Sequence, residues 1–162
     1  QGSTFRVFLP ATIEPAPLDT APPTDVELNN LTGTVLVIDD EATVRDSLTE
    51  ILEIVGLRVL KATNGLEGLE TYKRHRQEIS TILLDVHMPV MNGLDALREL
   101  KAIDPEVDVI LSSGYSEYSI ADHLVNQPTI SFLQKPYSLE AVTRRVAERL
   151  KLKAKATLLP VE

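Results

Sequence analysis

The sequence predicts an α/β fold, a five-stranded parallel sheet with five helices on both faces. From residue 34 onward, short apolar runs alternate with stretches of helical period, the pattern that right-handed strand–helix–strand crossovers produce. The third run, residues 79–84, is apolar or small throughout, as expected of a strand covered on both faces. Asp39-Asp40, Asp85, Ser112-Ser113 and Lys135 fall at the ends of the runs or just past them. In such sheets ligands bind at the carboxyl ends of strands.

The first strand is expected at 34–38, followed by a helix over about 42–55 with Val44, Leu48, Ile51, Leu52 and Val55 on one face and Gly56 as its stop. Residues 57–62 form a short second strand, and Asn64-Gly65 opens a second helix to about 75 with Leu66, Leu69 and Tyr72 inward. After the third strand, Met91-Asn92-Gly93 turns into a helix bearing Leu94, Leu97, Leu100 and Ile103, ended by Asp104-Pro105. A fourth strand is expected at 107–112, a weakly periodic helix at 117–125 and a fifth strand at 130–133. Ser138 then caps a last helix with Val142, Val146 and Leu150 inward.

With 162 residues and 43% hydrophobic content, the chain suits one ordinary domain with a real core and some extra length. Its net charge of -8 argues against a nucleic-acid-binding face. The absence of cysteine excludes disulfides and thiolate metal sites. No apolar run approaches the roughly 20 residues that span a bilayer. The start, Gln1-Gly2-Ser3-Thr4-Phe5, lacks the basic and apolar regions of a signal peptide. We therefore expect a cytoplasmic module without membrane contact, and the missing initiator Met points to a piece of a longer chain. Pro10, Pro15, Pro17, Pro22 and Pro23 lie among Thr, Asp, Glu and Asn, a composition that reads as an extended linker.

Clustered carboxylates repel one another and hold raised pKa values unless positive charge sits among them. A hard divalent cation and a lysine would meet that need, which points to phosphate chemistry on an aspartate. Asp85 is the candidate nucleophile, because a carboxylate can attack phosphorus and hold the group as a mixed anhydride. Phosphoryl transfer needs in-line positioning and neutralisation of the equatorial oxygens. Mg²⁺ (or Mn²⁺) does this with one or two carboxylates in its shell. Asp40 and Asp85 would supply those carboxylates and Asp39 would hold a coordinated water. Lys135 would bring the second positive charge and the Ser113 hydroxyl a hydrogen bond. Taken singly, Asp39-Asp40 also reads as a solvated turn or a helix N-terminus, and Ser112-Ser113-Gly114 as a turn. Lys135-Pro136 is a candidate cis peptide at a strand end. Met88-Pro89 and Asn92-Gly93 mark a tight loop after Asp85. Their joint occurrence at strand ends favours a site.

Val35-Leu36-Val37-Ile38-Asp39-Asp40-Glu41, Leu83-Leu84-Asp85-Val86-His87-Met88-Pro89-Val90-Met91-Asn92-Gly93, Leu111-Ser112-Ser113-Gly114 and Gln134-Lys135-Pro136-Tyr137 closely resemble the receiver domain of bacterial response regulators. The match spans about residues 34–153. The resemblance implies a flavodoxin-like (CheY-like) fold of strand order 2-1-3-4-5, with Asp85 taking phosphate from a phosphohistidine. It also implies that Asp40, Asp85 and the backbone carbonyl of His87 bind Mg²⁺ while Asp39 assists. Ser113 and Lys135 keep the roles above, and Phe132 occupies the aromatic switch position. His87 and Tyr115 lie where the family varies, and we expect them to tune phosphoryl lifetime by shielding or admitting water.

Gly2-Ser3-Thr4-Phe5-Arg6-Val7-Phe8-Leu9-Pro10 resembles the last strand of a histidine-kinase ATP-binding domain. The expected organisation is therefore a kinase remnant at 1–10, a proline-rich linker at 11–33, a receiver at 34–154 and a tail at 155–162. This is the plan of a hybrid sensor kinase's receiver end. The kinase's own catalytic site would lie outside these residues, and no room is left for a DNA-binding domain. The implied partners are a histidine-kinase dimerisation and phosphotransfer domain and a histidine phosphotransfer protein. The surface expected to respond is the 117–125 helix, the fifth strand and the last helix. A phosphatase of the haloacid-dehalogenase type would need Asp-x-Asp at its nucleophile, where Asp39-Asp40-Glu41 and Asp85-Val86-His87 stand instead. A phosphorylation-independent interaction module would show loss of the acids or the lysine, and none is lost. Flavin binding would need a Ser/Thr/Gly-rich loop where Glu41-Ala42-Thr43-Val44 stands.

Overall fold

The computed structural model describes residues 30–114 and 127–157. In chain order these form β1 (Thr34–Ile38), α1 (Ala42–Ile54), β2 (Arg58–Ala62), α2 (Gly65–His75), β3 (Ile79–Asp85), α3 (Gly93–Ile103), β4 (Val109–Ser113), β5 (Ile130–Gln134) and a last helix, here α4 (Leu139–Thr157). The strands form one parallel sheet in the order β2-β1-β3-β4-β5, the order the resemblance implied. The helix expected at 117–125, the 1–10 remnant, the linker up to residue 29 and Tyr115 lie outside the described residues.

Strand residues alternate between two covered faces. Leu36, Ile38, Ile82, Leu84, Val109 and Leu111 pack with Leu69 and Tyr72 of α2 and Leu97 and Leu100 of α3. Val35, Val37, Leu83 and Ile110 pack on the other side with Leu48 and Leu52 of α1 and Val142 and Val146 of α4. Double burial explains why the strands read as continuous apolar runs. The caps follow local chemistry: Asn64 accepts from Glu67 N at 3.0 Å, Asn92 from Asp95 N at 2.9 Å and Ser138 Oγ from Ala141 N at 3.1 Å.

Leu66 corrects the expectation for α2, being 49% exposed. The inward face is Gly65, Gly68, Leu69 and Tyr72. The helix lies so close to the sheet that a Cβ on Gly68 would stand 2.4 Å from Ile38 Cδ1. That approach selects the glycine face and turns Leu66 toward solvent.

A buried polar cluster ties the amino edge of the sheet to α4. Thr81 Oγ1 donates to Asp108 Oδ1 at 2.7 Å, and Arg149 Nε lies 2.9 Å from Asp108 Oδ2. Arg149 Nη2 also pairs with Asp108 and donates to the Pro128 carbonyl at 2.7 Å. Asp108 and Arg149 are both buried, so removing one leaves an uncompensated charge in the interior. Arg149→Leu is expected to destabilise the domain by about 3–5 kcal/mol in urea denaturation. The double variant with Asp108→Asn should recover a substantial part of the loss. A single-variant change below about 1 kcal/mol, the scale of an exposed pair, would contradict the account.

Candidate functional site

The site follows from strand register. β1 and β3 are hydrogen-bonded neighbours with Ile38 opposite Leu84, so Asp39 and Asp85 emerge side by side. Both are buried while Asp40 is exposed. Asp39, Asp40 and Asp85 each offer a carboxylate oxygen within 4.8 Å of the others. Lys135, directly after β5, places Nζ 2.8 Å from Asp85 Oδ1 and 3.4 Å from Asp39 Oδ2. Its peptide bond to Pro136 is cis, and its backbone N–H donates to the Ser113 carbonyl at 2.7 Å.

The backbone holds these groups from several sides. Asp39 Oδ1 accepts from Glu41 N at 2.9 Å, and the Asp39 carbonyl accepts from Arg45 Nη1 at 2.7 Å. Val86 N donates to the Ser112 carbonyl at 3.0 Å, and Gly93 N to the Val86 carbonyl at 2.9 Å. A Cβ on Gly93 would fall 2.2 Å from the Asp85 carbonyl oxygen, so only glycine allows the loop to close this tightly beneath Asp85.

Burial pushes the Asp85 carboxyl above its ordinary range. Lys135 opposes that shift and the charges of Asp39 and Asp40 add to it. Burial pulls Lys135 down, but its bond to Asp85 and the charges of Asp85 and Asp39 outweigh this and leave it raised. Both groups hold their protons more tightly than usual, Asp85 chiefly because it is buried and Lys135 because it is paired with Asp85. The donor set is made of hard carboxylate oxygens, the ligand type of Mg²⁺ and Mn²⁺ rather than of softer metals.

The other expected residues lie around this core. Ser113 ends β4 half-buried, next to Ser112, which pairs in register with Asp85. Phe132 on β5 is half-buried against the α2–α3 side of the core. His87 is exposed in the loop after β3. The structure adds two residues that the sequence reading assigned no role. Arg45 grips the Asp39 carbonyl, and a cation in the first turn of a helix, against the macrodipole, was the available signal. Tyr137 receives a hydrogen bond from Ser112 Oγ at 3.3 Å, and burial pushes its phenol up.

The model of the family described as "Response regulator receiver domain" matches residues 35–147. The chain belongs to the response regulator receiver family. It is thus a receiver domain of the two-component kind, and the haloacid-dehalogenase reading falls away. Sensor kinase CckA of Brucella abortus is 36% identical over 157 residues, covering 93% of this chain and 17% of the kinase. Autoinducer 1 sensor kinase/phosphatase LuxN of Vibrio campbellii is 35% identical over 118 residues, 73% of this chain and 14% of LuxN. The chain therefore spans under a fifth of these kinases' length. Chemotaxis protein CheY of Thermotoga maritima is 36% identical over 104 residues, 64% of this receiver and 85% of CheY. A receiver domain structure from Clostridium thermocellum superimposes with a TM-score of 0.72 at 30% identity, covering 76% of this chain and 98% of that one. The Borrelia burgdorferi complex described as CheX-CheY-BeF3-Mg+2 gives a TM-score of 0.67 at 27% identity, with 72% and 87% coverage. Among the described residues, no helix of the receiver is long and apolar enough to cross a membrane.

Among the described residues, Lys135 is the cation that pairs with both buried acids. Lys135→Met is expected to lower stability in divalent-free buffer by about 1–2 kcal/mol, a figure discounted because a third of Lys135 stays in water. Chemical denaturation checks this, and an unchanged or higher midpoint would show that the pairs carry no net stabilisation.

Proposed function

We propose that this receiver accepts a phosphoryl group from a partner's phosphohistidine on Asp85 in a Mg²⁺-dependent reaction. The observation that carries the reading is the Lys135 ammonium at 2.8 Å from the Asp85 carboxylate, inside a cluster of three acids delivered by adjacent strands. An ionised Asp85 oxygen attacks phosphorus, the P–N bond breaks and the imidazole leaves with its electron pair. Asp40, Asp85 and the His87 carbonyl would hold Mg²⁺ or Mn²⁺, and Asp39 would orient a coordinated water. A bound cation supplies charge neutralisation at the phosphoryl oxygens. Lys135 then shifts its ammonium from the acids toward the incoming group, and the Ser113 hydroxyl donates to another phosphoryl oxygen.

Ser113 and Phe132 would bias a two-state equilibrium once the phosphoryl group is in place, and His87 with Tyr115 would set its lifetime. The donor would be a histidine-kinase dimerisation and phosphotransfer domain, with a histidine phosphotransfer protein as a further partner. The similarity to CckA covers 93% of the chain and so extends beyond the family match at 35–147. It supports reading residues 1–10 as the end of a kinase ATP-binding domain, 11–33 as linker and the parent as a hybrid sensor kinase. A cytoplasmic location accords with that origin.

Incubation with acetyl phosphate and Mg²⁺ should give a phosphate-sized mass gain that is absent in Asp85→Asn. No gain in the wild type, or an equal gain in the variant, would defeat the assignment. Mg²⁺ alone should stabilise the wild type by about 2–3 kcal/mol at a hundredfold excess over its dissociation constant. Asp40→Asn should gain less in the same thermal melts, and an equal gain would remove Asp40 from the metal site.

A further inference from the structure

Ser112 and Tyr137 form a polar pair beside the acid cluster, outside the transfer chemistry proposed for it. Ser112 is 1% exposed and stands in register with Asp85. Strand alternation turns its side chain to the α1–α4 side of the sheet, the side of Ile110 two residues earlier. Tyr137 packs on that same side. The Ser112 hydroxyl donates to the Tyr137 phenol oxygen at 3.3 Å. A hydroxyl this deeply buried has lost water as a partner, and the phenol supplies one in its place.

This pair closes a circuit around the Lys135–Asp85 ion pair. Lys135 Nζ reaches Asp85 Oδ1 at 2.8 Å, yet a lysine carries its ammonium on a flexible four-carbon stem, and this one is only half-buried. Where the ammonium rests therefore depends on where the backbone is held. Ahead of the side chain, the Lys135 N–H donates to the Ser113 carbonyl at 2.7 Å. Behind it, Pro136 has no N–H to offer, and Tyr137 ties the chain back to β4 through Ser112. Successive residues of β4 thus hold the turn on both sides of Lys135. Ser112 is itself fixed to the β3 end, its carbonyl accepting from Val86 N at 3.0 Å. Asp85, Ser112, Tyr137 and Lys135 so form a ring. The phenol also feels the cluster: burial pushes its pKa up, Ser112 and Lys135 oppose that, and the charges of Asp39 and Asp85 add to it.

We propose that Tyr137 is a positioning residue for phosphoryl transfer, its phenol anchoring the Lys135-Pro136-Tyr137 turn to Ser112 so that the Lys135 ammonium stays on Asp85. This rests on the phosphoacceptor reading of Asp85. In this role the phenol acts through the lysine and not on the reacting group. When Lys135 turns toward the incoming phosphoryl group, a backbone held on both sides confines the movement to the side chain. Phenylalanine would fill the same space, but apolar packing is non-directional, whereas a hydrogen bond fixes a distance and an angle.

The test follows labelling of the full chain by acetyl phosphate and Mg²⁺, read by mass over hours so that slow variants stay measurable. Tyr137→Phe and Ser112→Ala should each label about three- to tenfold more slowly than the wild type, the scale of one lost hydrogen bond. Tyr137→Phe should also melt lower, because it orphans the Ser112 hydroxyl. The double variant Ser112→Ala/Tyr137→Phe leaves no orphan and should regain the wild-type melting temperature while still labelling slowly. Labelling of that double variant at the wild-type rate would overturn the proposal. In a Lys135→Met background, Tyr137→Phe should slow labelling no further, since the lysine it acts through is gone. A slowing there as large as that seen with the lysine present would also overturn it, as would Lys135→Met labelling at the wild-type rate. Failure of acetyl phosphate to label the wild type would instead sink the Asp85 reading itself.

Discussion

The parallel register between β1 and β3 is the constraint on which the rest of the molecule depends. With Ile38 opposite Leu84, the chain has no choice but to release Asp39 and Asp85 beside each other at a buried edge. Like charges in that position raise the free energy of the fold, and each neighbouring feature answers the problem. Lys135 arrives from β5 between the two acids, Glu41 N–H and Arg45 engage Asp39, and Gly93 lets the following loop close over Asp85. Burial still holds the Asp85 carboxyl raised, and pairing with Asp85 holds Lys135 raised. In the proposed function, that edge takes a cation and a phosphoryl group together.

The two edges of the sheet divide stability from chemistry. At the amino edge, Thr81, Asp108 and Arg149 form a closed set of buried partners that anchors α4. At the carboxyl edge the polar groups are only partly matched, and Asp40 faces solvent. Val90, strained at φ 70° in the loop after β3, belongs to this second edge. Rigid support at one end lets the other retain repulsion and strain, the features that make a site responsive.

Much of this was legible in the chain. Doubly buried strands leave continuous apolar runs, so β1 falls at 34–38 as expected, with the acids at the strand ends. The third strand runs one residue further than expected, to Asp85 itself, because Asp85 pairs with Ser112. Leu66 misled because helical spacing groups it with Leu69, whereas close approach to Ile38 favours the face of Gly65 and Gly68. The Asp108–Arg149 pair joins residues far apart in sequence, and nothing local marks either as a partner. Met91-Asn92-Gly93 opens α3 as expected, with Asn92 as its cap, but the positive φ of the loop falls on Val90. That choice is made by the tertiary anchors of the loop, which no dipeptide preference encodes.

The central claim is that the acids and Lys135 form one unit completed by a divalent cation. Anomalous diffraction from crystals soaked in Mn²⁺ tests it most directly. A single strong peak is expected about 2 Å from carboxylate oxygens of Asp40 and Asp85, on the side of the cluster away from Lys135. A peak elsewhere, or none at a concentration that saturates binding in solution, would contradict the account.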